Sequence, residues 1–211
     1  DQLPKELVIE AQQFIQGESL IISPRKRWPF DVEDSFDIPE NKRYKSGRSL
    51  CYLDDAGYGK SVHEILCNTQ EFTDEVKRGI TKVFNQWSEL PRGNLVVTYI
   101  PSSSRSAIVI KLAQFIANQL SVPLVSLVCK QHTSRHQIDN KNSAQQYKYA
   151  TDHYSIEGLR TKGVDVLVVD DFFDSRWTFT IVAAKLIEAG AHSVYPFALA
   201  NLNGREINKN A

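Results

Sequence analysis

The chain has 211 residues, enough for one α/β domain or a core with a smaller appended piece. Its 25 basic and 25 acidic side chains cancel. That excludes a global basic field that would draw in nucleic acid, so any DNA contact has to come from a local patch. Cys51, Cys67 and Cys129 are separated by long, irregular gaps, which gives neither a disulfide framework nor a zinc site. They read as reduced thiols, and the expected compartment is the cytoplasm. No apolar run approaches the ~20 residues of a membrane span, and no signal peptide opens the sequence, so no membrane partner is expected. A chain that starts at Asp1 and contains no methionine reads as a piece of a longer polypeptide.

No internal repeat or low-complexity tract is present. Leu3, Leu7, Ala11, Phe14 and Ile15 recur at helical spacing, with Gly17 as the stop. "SLIIS" (19–23) predicts a short strand, and "PRKRWPF" (24–30) a proline-bracketed turn. Residues 31–48 are charged and poorly periodic and read as loop. "SLCYL" (49–53) predicts another strand. Phe72, Val76, Ile80, Val83, Phe84 and Trp87 mark an amphipathic helix of about four turns. "LPRGN" (90–94) breaks the chain and is the expected boundary, giving an N-terminal α+β extension (1–92) and a core (93–211). The two are expected to be able to pack as one unit.

Beyond that boundary the pattern changes. "LVVTYI" (95–100) is a continuous apolar strand of the kind buried on both faces of a parallel sheet. Ile108, Leu112, Phe115, Ile116 and Leu120 predict a helix, and "PLVSLV" (123–128) a strand. Residues 130–146 are polar and read as a long loop. "VDVLVV" (164–169) predicts a strand. Phe179, Val182, Ala183, Leu186 and Ile187 predict a helix that Gly190 caps. "SVYPFALA" (193–200) predicts a last strand. Because Pro196 has no donor, that strand is expected at an edge or with a bulge. The alternation predicts a doubly wound, mostly parallel α/β sheet, with ligands beyond the carboxyl ends of its strands.

At one such end lies "VLVVDDFFDSRWTFT" (166–180). Asp170 and Asp171 leave the strand, and the next helix points its N-terminus at the same place. A helix N-terminus offers unpaired N–H groups and partial positive charge, which suit a phosphate. Ser175 and Thr178 add hydroxyls. Ionised carboxylates accept from sugar hydroxyls, so the set suits a ribose 5-phosphate. The same carboxylates suit Mg²⁺ with its waters on a pyrophosphate. The bland alternative is an ordinary strand-to-helix turn in which the acids and serine are caps.

The segment "VLVVDDFFDSRWT" resembles the motif by which type I phosphoribosyltransferases bind phosphoribosyl pyrophosphate (PRPP). The resemblance implies that Asp170 and Asp171, in the catalytic positions, meet the ribose hydroxyls. It also implies that Asp174, Ser175, Arg176, Trp177 and Thr178 wrap the 5-phosphate, and that Mg²⁺ arrives with PRPP. "IPSSSRSA" (100–107) lies where that family has its pyrophosphate loop, with Ser102, Ser103, Ser104 and Arg105. "TSRHQIDNKNSAQQY" (133–147) resembles the flexible loop of ComF-like members, with Arg135, Gln137, Asn142 and Gln145 as the matching positions. Two residues depart from the motif: Asp174 stands at a usual threonine and Arg176 at a usual glycine. Glycine permits positive φ and close backbone approach. Arg176 either blocks that approach or supplies a cation of its own.

In order, "LIISPRKRWP", "GRSLCYLDDAGYGKSV", "IPSSSR", "NSAQQ", "VDDFFDSRWT" and "YPFALA" resemble the C-terminal phosphoribosyltransferase-like region of some bacterial RecQ-family DNA helicases. That resemblance implies ATPase helicase domains upstream of Asp1, through which DNA would be reached. Arg176 in place of glycine, with Asp174 beside it, favours a binding or regulatory module for PRPP, a nucleotide or a phosphorylated DNA end, and a homodimer is among the expected partners. Two alternatives stay open. One is an active Mg²⁺-dependent transferase acting on a nucleobase. The other is a DNA-binding accessory domain with a vestigial site, using "RKRW" as its contact. "GYGKS" (57–61) imitates a nucleotide-binding P-loop but has Asp54 where the first glycine belongs. His132 and His136 lack a third metal ligand.

Overall fold

A computed structural model of the chain describes residues 17–32, 35–53, 55–102, 105–131, 142–158 and 163–202. The helix expected over Leu3–Ile15 lies outside them. The apolar runs become strands: β1 (Leu20–Ile22), β4 (Gly47–Tyr52), β5 (Leu95–Tyr99), β8 (Asp165–Phe173) and β9 (Ser193–Asn201) form one sheet in the order β1-β4-β9-β8-β5. β4, β9, β8 and β5 run parallel, and β1 is antiparallel on the β4 edge. The α/β class and the mostly parallel sheet are therefore borne out.

The helices cover both faces. On one face lie α1 (Gly59–Glu64, continuing as a wider turn over Ile65–Thr69), α2 (Asp74–Gln86) and α3 (Ser106–Leu120). Their apolar sides meet Leu167, Val169, Phe197 and Leu199 in one core. On the other face lie α4 (Ser143–His153) and α5 (Trp177–Glu188), which pack on Val166, Val168, Val194 and Ala198 in a second core. The alternation of β8 side chains thus divides one strand between two cores. α2 starts where Thr73 Oγ1 accepts from Val76 N at 3.3 Å, with Asp74 and Glu75 in its first turn.

Four expectations need correcting. First, β9 lies between β4 and β8, so Pro196 is in the middle of the sheet and not at its edge. Lys45 N donates to Val194 O at 2.8 Å, and strand alternation puts the missing Pro196 donor on that same side, where β4 is only beginning. Gly47 makes the approach possible: a Cβ there would lie 2.3 Å from Pro196 O. Second, the "PRKRWPF" turn and part of the following loop form a hairpin of β2 (Arg27–Val32) and β3 (Ser35–Asp37), outside the main sheet. Pro29 is tolerated because the register is irregular there.

Third, the 123–128 strand shrinks to a single bridge, Val97 to Leu124. Thr98 Oγ1 takes the Leu127 N–H at 3.1 Å, which ends the ladder. The chain then pairs as β6 (Val128–Lys130) with β7 (Tyr154–Ile156). Fourth, α4 begins at Ser143, inside the expected loop. Asn142 and Gln145 close a reciprocal capping box that was readable as N-x-x-Q.

Candidate functional site

β8 runs past the last β5 residue in the ladder, Tyr99, which is paired with Val169. The chain turns away after Ile100, whose N–H still reaches Val169 O at 2.9 Å. Asp170 and Asp171 are therefore delivered beyond the end of the neighbouring strand. The helix after β5 lies on one face of the sheet and the helix after β8 on the other. This is the topological switch point at which parallel sheets open a crevice.

The acids face different surroundings. Asp171 is buried (4% side-chain exposure) and forms an ion pair with Arg105 Nε, from the turn before α3. Its other oxygen, Oδ1, accepts from Phe172 N at 2.8 Å. The Arg105 guanidinium lies 4.3 Å from the centroid of the Phe172 ring. Asp170 Oδ1 accepts from Asp171 N at 2.9 Å. Burial first, and then the Asp171 charge, push the Asp170 carboxyl well above the usual carboxylate range. On that side the neighbours are Lys130 and Tyr154. Burial pulls Lys130 down against the opposing pull of Asp170, and burial and the Asp170 charge push the Tyr154 hydroxyl up. Lys130 and Tyr154 went unnoticed in the sequence, because both lie on short strands without periodicity.

The loop after β8 turns at Arg176, which has φ 67° and ψ 4°. The residue that replaces the motif's glycine thus adopts the left-handed conformation that glycine suits, at some cost in strain. Arg176 directly precedes α5 and supplies no side-chain cap, and the first turn holds no acidic residue. Thr178 is half-buried in the first turn, and Asp174 is exposed. Trp177 is buried, and its Nε1 has no hydrogen-bond partner.

Residues from the N-terminal half reach this loop, a contact with no signal in the sequence. Arg25 Nε donates to Ser175 O at 2.8 Å, and its guanidinium lies 4.1 Å from the Trp177 ring centroid. Arg176 Nη1 donates to Ser23 O at 3.0 Å. The buried Tyr44 hydroxyl donates to the same carbonyl at 2.8 Å. Of the basic "RKRW" stretch, Arg25 is thus turned into the loop, and Arg27 pairs with Asp37 at 3.5 Å. Trp28 packs edge-on against Tyr147, which in turn packs on Trp177.

Of the pyrophosphate-loop candidates, Ser102 Oγ accepts from Arg105 N at 3.1 Å, while Ser103 and Ser104 lie outside the described residues. Arg135, Gln137, His132 and His136 also lie outside them. Asn142 is occupied in capping α4. In the P-loop look-alike, Asp55 Oδ1 accepts from Gly57 N and Gly59 N at 3.0 and 2.8 Å. A carboxylate of the chain itself fills the place a phosphate would need. A hollow of about 10 Å³ lies away from the acids, between Leu50, Tyr58, Gly79 and Val83. Among the described residues no cluster of three His, Cys, Asp or Glu could hold a metal, and no helix is long and apolar enough to cross a membrane. Cys51, Cys67 and Cys129 are free thiols.

No family model matches this chain, and no curated protein matches it. Among solved structures it is similar to an adenine phosphoribosyltransferase from Leishmania tarentolae, at 13% identity and TM-score 0.43 over 99% of this chain and 83% of that one. It is also similar to a structure described as the allosteric regulatory enzyme of purine biosynthesis, at 21% identity and TM-score 0.44. A third is the glutamine PRPP amidotransferase from B. subtilis complexed with ADP and GMP, at 20% identity and TM-score 0.42. The chain spans about a third of the length of these last two, 32% and 33%. Likeness of this size assigns neither a family nor a ligand.

Proposed function

We propose that this chain is a phosphoribosyltransferase-type domain that binds PRPP or another ribose phosphate at the carboxyl end of β8, as a binding or regulatory module. The observation that carries the reading is the junction of β8 and α5. A central parallel strand presents Asp170 and Asp171 at the switch point, then makes a left-handed turn at Arg176 into a helix with no side-chain cap. The Asp170 carboxylate, with Asp171 beside it already shared by Arg105 and the Phe172 amide, thus stands as an acceptor for sugar hydroxyls next to the N–H groups of a helix N-terminus for a phosphate.

A binding role is favoured over turnover by the Arg105–Asp171 pair. A cation in the pyrophosphate-loop position that is spent on an acid is not held ready for a departing pyrophosphate. Mg²⁺ would enter on the pyrophosphate of PRPP. Hard oxygen donors suit it, and the carboxylates nearest to hand are those of Asp170 and Asp171. The ordered motifs resembling a RecQ-family C-terminal region further lead us to infer a helicase as the parent. ATPase helicase motifs encoded upstream in the same reading frame would support that parentage, and their absence would remove it.

The test of the site is calorimetric titration of PRPP with Mg²⁺, alongside a pyrophosphate-release assay over a panel of nucleobases. We expect saturable binding that Asp171→Asn weakens at least about tenfold, without steady release. Steady pyrophosphate release that Asp171→Asn abolishes would establish the transferase alternative instead. No binding of PRPP or of ribose 5-phosphate would remove the proposal.

A further inference from the structure

Two arginines from distant parts of the chain meet at the start of α5. Each takes a backbone carbonyl of the other's segment: Arg25 Nε that of Ser175, and Arg176 Nη1 that of Ser23. Neither forms an ion pair with a carboxylate among the described residues. Burial first, and then the Arg176 charge, pull the Arg25 guanidinium down from its ordinary value. The helix N-terminus adds a third positive element at the same spot. Beneath Arg25, the Trp177 indole is 1% exposed and its Nε1–H has no acceptor. Two guanidinium groups and a buried indole donor are thus concentrated at the start of α5, and Asp174, exposed two residues before Arg176, is the one carboxylate of residues 174–178.

The contacts that hold the pair leave it free to act. Among the described residues Arg25 is engaged in a hydrogen bond through Nε, and none of them takes its Nη groups. Arg176 can leave Ser23 O without orphaning that carbonyl, because the Tyr44 hydroxyl also donates to it. Two guanidinium forks present parallel donors that match phosphate oxygens.

We propose that Arg25 and Arg176 form a phosphate clamp over the first turn of α5, selecting a ligand that carries a phosphate monoester. Arg25, from the segment between β1 and β2, completes a site that the strand-loop-helix motif alone leaves without its glycine. The clamp rests on the reading that residues 174–178 receive the phosphate of a ribose 5-phosphate.

The test titrates inorganic phosphate, ribose and ribose 5-phosphate into the wild type, Arg25→Gln, Arg25→Lys and Asp171→Asn, with unfolding midpoints as the check on folding. Arg25→Gln should weaken inorganic phosphate and ribose 5-phosphate by about tenfold, and Arg25→Lys by less, since it keeps the charge and loses the fork. Ribose binding should not change in either variant. The slope of log affinity for phosphate against log salt should also become shallower in Arg25→Gln. Should Arg25→Gln fail to fold, Arg176→Gln carries the same expectation.

A folded Arg25→Gln that binds phosphate as the wild type does overturns the clamp. If Asp171→Asn still loses ribose 5-phosphate in that case, the ribose reading survives alone. Phosphate binding that needs Arg25 but ignores both the ribose and Asp171 keeps the clamp and removes the ribose reading. A wild type that binds none of the three ligands overturns both.

Discussion

Asp170 shows at the scale of one residue how a position proposed to bind ligand works against stability. Its neighbours are Asp171, the Arg105 that is committed to Asp171, Lys130 and Tyr154. Burial and Asp171 raise its folded-state pKa, so over the window from its ordinary value up to the raised one the native state binds more protons than the unfolded state. Stability contributed by this group then falls as pH rises through that window and is lowest above it. Asp170→Asn keeps an Oδ1 acceptor for the Asp171 N–H and removes the charge. It is expected to raise the unfolding midpoint at pH 7 by a few degrees, taking about 2–4 °C per kcal/mol for a chain of this size. The gain should shrink as pH falls toward 4, and ribose phosphate binding should be lost. A midpoint at pH 7 that drops in the variant would contradict the assigned direction.

Much of this site was readable from residue types: two acids after a buried aliphatic run, and hydroxyls before a helix. The sequence also marked Arg176 as the anomaly, and the structure gives it the backbone conformation that the absent glycine would take. Arg25 was not readable as part of the site. Its contact with Ser175 spans 150 residues, and in sequence it belongs to a basic turn that looks made for solvent or nucleic acid.

At the scale of elements, strands buried on both faces were legible because they are written as nearly continuous apolar runs. Strand order was not. The Pro196 argument pointed to an edge because it considered one strand at a time, whereas the structure resolves the missing donor with a partner strand that starts late and carries a glycine. Gly47→Ala tests this pairing. The added Cβ would lie 2.3 Å from the Pro196 backbone oxygen, so one of the two strands has to move. Gly79→Ala is the control, because its Cβ would meet the Tyr58 ring at 2.6 Å, and a side chain can swing aside. We expect Gly47→Ala to cost about 3 kcal/mol or more in denaturant unfolding and Gly79→Ala roughly 1 kcal/mol, the upper and lower ends of overpacking costs. Equal losses at the two positions would mean that the β4–β9 contact gives as easily as a tyrosine ring.

The whole molecule decides whether the break at residues 90–94 separates two folding units. The N-terminal half contributes β1 and β4 to the main sheet, and β4 is one of the two neighbours of β9. It also supplies the α2 face under that strand: Phe84 lies 4.9 Å, centroid to centroid, from Phe197, and Trp87 6.3 Å from Tyr195. Residues 93–211 alone would keep β5, β8 and β9 but expose a long apolar edge on β9 and one face of the sheet. Val76, Ile80, Val83, Phe84, Trp87 and Leu90 would be missing from the core, all of them 4% exposed or less. At roughly 1.5–3 kcal/mol for each large buried side chain, their loss is comparable with the roughly 5–15 kcal/mol that keeps a domain folded. We therefore propose that the chain folds as one unit, and expect the 93–211 fragment to show no cooperative thermal or denaturant transition and to aggregate through β9. A sharp two-state transition in that fragment would instead make the N-terminal half an accessory to a self-sufficient core. Arg25 would then be reaching the loop before α5 across an interface between two folding units.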